Sequence, residues 1–220
     1  FYWEENGLDK QTHSRVMGAL TIGKTGTTLR VGYDMLKNYI YLGLQNQRVA
    51  DGDNYLTKGV DVQVRQHGGN VGIFTAQLEQ NLQFGILHWN SRLTYQKSGD
   101  EEVIALPALN IYTNLFLRFK IARVLQCDLG GDLRWFTKYY APEYIPGLST
   151  FGMQETADSK TKVGGYPLAN VYANFNLKHT RFFVMMSHIN ASSGGDYFLT
   201  PHYPLNGRIF RFGVSWNFFN

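Results

Sequence analysis

The side chains in this sequence with the most chemical capacity are arginines and aspartates that recur at every second position between apolar residues. Arg30 and Asp34 alternate with Leu29, Val31, Tyr33 and Met35, and Arg92 stands beside Leu93 and Tyr95. Arg118 and Lys120 alternate with Leu115, Leu117 and Phe119, while Asp128, Asp132, Arg134 and Lys138 oppose Leu129, Leu133, Trp135 and Tyr139. Arg15 lies upstream, and Arg211 opposes Phe210, Phe212, Val214 and Trp216. A spacing of two puts the charges on one face of a strand and the apolar residues on the other. Facing water, such arginines would lower the entry cost of anions into a passage. They would equally well pair with the aspartates across neighbouring strands and fill a narrow, non-conducting interior. The sequence leaves both readings open.

The sequence carries no motif for other chemistry. There is no glycine-rich phosphate loop, nucleophile elbow or HExxH helix. His13, His67, His88, His179, His188 and His202 are scattered singly, whereas zinc needs convergent ligands. The run Asp51-Gly52-Asp53-Asn54-Tyr55 begins like a calcium loop but lacks the later Gly and Glu. Ser187 and His188 are sequence neighbours, so in one strand they point to opposite faces and make a poor nucleophile and base. Cys127 is the lone cysteine and reads as a small apolar strand residue. No catalytic residue, metal or cofactor is expected. The rivals to a channel are a non-conducting subunit of an envelope complex and, less favoured, a barrel lipase.

The elements that carry these residues are strands. Charged residues make up 17% of the chain, below the roughly 25% of soluble domains, while aromatics reach 15%. The net charge of +4 is spread along the chain without basic clusters, which speaks against nucleic acid as a partner. No run approaches the about 18 apolar residues of a spanning helix, so any membrane reading rests on strands. Period-two patterning predicts nine, at residues 14–23, 27–42, 71–81, 84–97, 107–119, 124–141, 167–178, 182–191 and 207–219. Short turns alternate with long loops at about 43–70, 98–106, 142–166 and 192–206, with an extra hairpin arm at 60–66 in the first. Short turns on one rim and long loops on the other are the habit of outer-membrane barrels. Tyr39, Tyr41, Trp89, Tyr95, Trp135, Tyr139, Tyr140, Trp216 and Phe219 would form interfacial belts. The expectation is one all-β unit over residues 1–220, an antiparallel transmembrane β-barrel. Because such barrels normally have even strand numbers, and the chain opens at Phe1 without a leader, it reads as partial, with N-terminal strands missing.

The ending Arg211-Phe212-Gly213-Val214-Ser215-Trp216-Asn217-Phe218 fits a polar-x-Gly-x-x-aromatic-x-aromatic pattern. In it Arg211, Gly213, Trp216 and Phe218 would be read by the barrel assembly machinery, although Asn220 departs from the usual aromatic end. From Thr94 onward, the stretches TYQKS, LPALNIYTNLFLRFKIA, RWFTKYYAPEYIP, GYPLANVYANFNLKHTRFFVMMSHINA and HYPLNGRIFRFGVSWNFF resemble the C-terminal part of the putative porin family of Bacteroidetes. That resemblance implies a barrel larger than this chain, in the outer membrane of a Gram-negative bacterium. Its partners would be outer-membrane lipid, the assembly machinery and small hydrophilic solutes. It implies no particular substrate and no oligomeric state.

Overall fold

The computed structural model describes residues 7–51, 54–155, 160–192 and 198–217, with the backbone alone over 46–51 and 54–60. The strands are β1 (Thr12–Ile22), β2 (Thr27–Lys37), β3 (Ile40–Asp51), β4 (Asn54–Gln66), β5 (Asn70–Phe84), β6 (Leu87–Ser98), β7 (Leu109–Ile121) and β8 (Leu125–Phe136). They continue as β9 (Glu143–Ile145), β10 (Thr150–Gln154), β11 (Leu168–Leu177), β12 (Thr180–Ser187), β13 (Phe198–Thr200), β14 (Tyr203–Pro204) and β15 (Ile209–Trp216). Nine of them form one antiparallel wall in the order β1-β2-β5-β6-β7-β8-β11-β12-β15. Its two end strands, β1 and β15, are not paired to each other, so the wall is an open arc of barrel.

The wall is inverted relative to a water-soluble sheet. On β2, Leu29, Val31, Tyr33 and Met35 are exposed, whereas Gly32, Asp34 and Leu36 on the other face are buried. Val16 is 77% and Phe212 76% exposed, against 8% for Asp34 and 9% for Asp128. The cross-strand register puts Val16, Tyr33, Phe74, Leu93, Leu115, Leu133, Val171, Val184 and Phe212 on one and the same face of the wall. A continuous apolar face of this extent does not face water in soluble proteins. It faces hydrocarbon, as in a transmembrane β-barrel whose lipid-facing and inward residues alternate. Cys127 lies on this face in register between Phe119 and Phe175 and is fully covered.

Local conformation decides where strands stop. Left-handed residues close the tight turns on one rim: Gly26, Gly85, the pair Ala122 and Arg123, and Lys178. The expected turn at 81–84 lies instead at Gly85 and Ile86, because β5 continues to Phe84. The strand expected over 27–42 divides at Asn38, whose φ of 53° turns the chain out of the wall. Beyond it, β3 and β4 pair from Ile40↔Gln66 to Asp51↔Asn54, so the arm foreseen at 60–66 is half of a longer hairpin. The strand expected to reach 141 ends at Phe136. The strand expected over 182–191 runs Thr180–Ser187 and stops before His188, whose φ is 53°. Those over 14–23, 84–97, 107–119 and 167–178 fall close to their expected places, as does 207–219, of which 218 and 219 lie outside the described residues.

On the rim of long connections a second sheet runs β4-β3-β10-β9. There β10 lies parallel to β3, with Met153 opposite Gly43 and Gln154 opposite Leu44. Glu155 fastens it, accepting hydrogen bonds from Arg65 Nη2 at 3.1 Å and Gln45 Nε2 at 3.0 Å. That carboxylate holds the Arg65 guanidinium above its ordinary pKa. Burial likewise raises the Tyr139 phenol. Of the residues foreseen as belts, Trp89 and Trp216 stand near the tight-turn rim, and Tyr95 and Trp135 near the other. Tyr39 and Tyr41 instead stack on each other at 6.2 Å beside the outer sheet, and Phe219 lies outside the described residues.

Candidate functional site

Strand alternation gathers nearly all the charges singled out in the sequence onto the inward face. The register sets Arg15 opposite Asp34, Arg118 opposite Asp128, and Arg92 beside Glu79. Asp132, Arg134, Lys120, Arg30 and Arg211 share that face. Lys138 does not continue the row, because it lies past the end of β8, exposed on the rim beside Gly165. Gly213 is inward and Trp216 outward, while Phe218 lies outside the described residues.

Most of these cations are paired. Asp34 Oδ1 lies 2.7 Å from His13 Nε2 and 3.3 Å from Arg15 Nε. Glu79 bridges two strands, with Arg30 Nη1 at 2.7 Å and Arg92 Nε at 2.9 Å. Arg118 donates to both oxygens of Asp128, from Nε at 2.8 Å and Nη2 at 2.9 Å. This two-pronged geometry is the strong form of the arginine–carboxylate bond. Arg134 is looser, 4.0 Å from Asp132 Oδ1, with its guanidinium 5.4 Å from the centre of the Tyr112 ring.

The pairing is lopsided. Carboxylates stand on β2, β5 and β8, but the inward positions of β11, β12 and β15 carry Asn170, Tyr172, Asn174 and Asn176, then Arg181, Phe183 and Met185, then Arg211. Arg181 Nη2 donates to the neutral Asn174 Oδ1 at 2.8 Å. Among the described residues, no carboxylate forms an ion pair with Lys120, Arg181 or Arg211.

Glu79 and Arg181 escaped the sequence reading. The signal for Glu79 was present, since Thr75, Gln77, Glu79 and Asn81 alternate with Phe74, Ala76, Leu78 and Gln80. Inward aromatics were hidden by glycines. An ideal Cβ at Gly213 would come within 2.6 Å of the Phe183 ring, and one at Gly130 within 2.4 Å of Phe116 Cβ. Gly213 admits the Phe183 ring, whereas Gly130 admits the adjoining backbone of β7, with Leu115 O 2.5 Å and Phe116 Cα 2.8 Å from its ideal Cβ.

The inward face also receives the outer loops. Leu199 of β13 shares a concavity of about 500 Å³ with Arg92, Tyr112 and Arg134. The same loop is moored to the rim, where Thr200 Oγ1 donates to Pro142 O at 2.9 Å and Tyr203 packs edge-on against Tyr144. His188 belongs to this rim. Its Nε2 lies 2.9 Å from Tyr166 Oη, its Nδ1 2.8 Å from Asn206 O, and its backbone N–H donates to Asn170 Oδ1. Thus built in and buried, it ties three segments together and is not placed as a base for Ser187.

An apolar outer face, a charged inner face and tight turns on one rim are the marks of a transmembrane β-barrel. The profile of the putative porin family matches residues 1–220. The chain belongs to that family. Among solved structures, the siderophore receptor PirA from Acinetobacter baumannii is similar, with a TM-score of 0.53 at 13% identity. The match covers 94% of this chain and 31% of the receptor, so the chain spans under a third of the receptor's length. At that identity the likeness is one of fold, a wall of barrel strands. No curated protein matches the chain.

Proposed function

We propose that this porin-family chain forms part of an outer-membrane channel of a Gram-negative bacterium, one that passes small hydrophilic solutes by diffusion and mildly favours anions. The observation that carries this reading is the uncompensated Lys120, Arg181 and Arg211 on the inward face. In a passage, such cations lower the entry cost of negative solutes. Backbone groups in hydrocarbon must all be paired, so the wall works only within a closed ring, with outer-membrane lipid around it and the assembly machinery to insert it. Family membership and the receptor-like fold support that setting and a non-enzymatic role.

The second reading, a non-conducting barrel subunit of an envelope complex, is favoured by the ion pairs that Asp34, Glu79 and Asp128 make across strands. Bilayer recordings of the complete protein and of Arg134→Ala and Arg211→Ala separate the two. The channel reading expects each variant to lose part of its anion preference. Ion selectivity unchanged in both would defeat it. A stable co-purifying partner without conductance would favour the subunit.

A further inference from the structure

Water-filled barrel interiors are lined by polar side chains, yet this inward face carries Phe116, Tyr172 and Phe183. They border one concavity of about 620 Å³ spanning β6 to β12, within the roughly 300–1,000 Å³ of small-molecule sites. Phe183 packs over Gly213 and Phe116 stacks on His88. The polar groups between the rings have no such packing role, and their arrangement is one-sided. The Asn114 carbonyl oxygen accepts from Tyr172 Oη at 2.8 Å, and that of Asn174 accepts from Arg181 Nη2 at 2.8 Å. Each acceptor thereby holds one donor. The Nδ2 donors of both amides have no hydrogen-bond partner among the described residues. Arg118 is neutralised by Asp128, but Arg181 has a neutral amide and, 5.8 Å from its guanidinium, the Phe183 ring. His88 stacks on the Phe116 ring at 4.9 Å and the Arg118 guanidinium lies 5.1 Å from it, so the concavity offers aromatic surface at Tyr172 and Phe183, amide donors and one guanidinium without a carboxylate.

We propose that this concavity is a binding subsite for a carboxylated sugar, an inference that rests on the inward face being a solute passage and names what the passage selects. A pyranose has a face of C–H bonds that packs on an aromatic ring and a rim of hydroxyl oxygens that accept from amide donors. Its carboxylate takes the Arg181 guanidinium in a charge-assisted pair. A bare inorganic anion would leave the rings unused, and a neutral sugar would leave Arg181 unused. Binding is weak enough for release, as a conducting site requires.

Calorimetric titration of the complete protein in detergent micelles with digalacturonate tests this, with maltose and acetate as comparators. Saturable binding is expected, at least about tenfold tighter than either comparator, because each lacks half of the recognised chemistry. Arg181→Ala should weaken it about tenfold and Asn174→Ala several-fold. Neither side chain lies over a glycine or in an ion pair, and unchanged heat-modifiable gel mobility verifies that the variants fold. Absence of binding, acetate binding as tightly as digalacturonate, or an affinity unaltered in both variants overturns the site. Binding without any conductance would refute the passage and leave the site standing. Conductance without binding would refute the site alone.

Discussion

Replacing Glu79 with glutamine removes the carboxylate that holds Arg30 and Arg92 from two flanking strands. The cost depends on whether water reaches the inward face. The Glu79 side chain is 19% exposed and its partners 38% and 56%, so each pair is discounted for solvent screening. Two partly screened pairs amount to about 1–2 kcal/mol in total. Were the interior dry, stranding two guanidiniums would cost about 3–5 kcal/mol. Urea unfolding of the complete protein in lipid vesicles distinguishes these ranges, and a double-mutant cycle with Arg92→Ala isolates the pair. Glu79→Gln also adds one net positive charge to the inward face, so the reversal potential under a salt gradient should move toward anions. A stability loss above about 3 kcal/mol, or an unmoved reversal potential, would refute the description of this face as a wet, solute-facing wall.

Other expectations follow from the same geometry. Leu115→Arg places a charge on the hydrocarbon face midway along β7 and should cost about 2–4 kcal/mol, read by unfolding in vesicles. Gly130→Ala drives a methyl against Phe116 and the backbone oxygen of Leu115, whereas the methyl of Gly18→Ala meets nothing within 4 Å. The first should lose about 1–3 kcal/mol or fail to insert, and the second should fold as the parent does, both judged by heat-modifiable gel mobility. Glu155→Ala should loosen the outer sheet by freeing Arg65 and Gln45, and limited proteolysis should then cut within 40–66 while the wall stays intact.

The wall was legible wherever each strand kept a clean contrast between faces. Over 29–35 of β2 and 210–216 of β15, every second residue is apolar and the intervening ones are polar or glycine, so the two faces followed from spacing alone. Contrast failed where an aromatic turned inward. Phe116 breaks the alternation of β7, and its place makes sense only with Gly130 opposite it on β8. Departure from the wall at Asn38 was illegible for another reason. The alternation of Met35 and Lys37 carries on into Tyr39 and Tyr41, and only the left-handed backbone of Asn38 separates the two runs. Within the candidate site, charges on strongly amphipathic strands were readable. Arg181 was not, because it precedes the run expected at 182–191, and Glu79 was overlooked because the outward Gln80 weakens the contrast between the faces of β5. The pairing of β3 with β10 had no local signal, since parallel partners so far apart share no turn chemistry.

The parallel pairing of β3 with β10 also bears on the order in which the molecule comes together. Most wall partners are successive hairpins, whereas Glu155 reaches Arg65 and Gln45 across 90 and 110 residues. Ring-closure entropy rises with that separation, and contacts between distant segments form slowly. The wall therefore zips strand by strand while β3 and β4 wait as a lone hairpin, which is marginal in water. The outer sheet is thus slow to lock, and a chain halted before β10 would carry only the six wall strands up to β8, with β3 and β4 still an unpartnered hairpin.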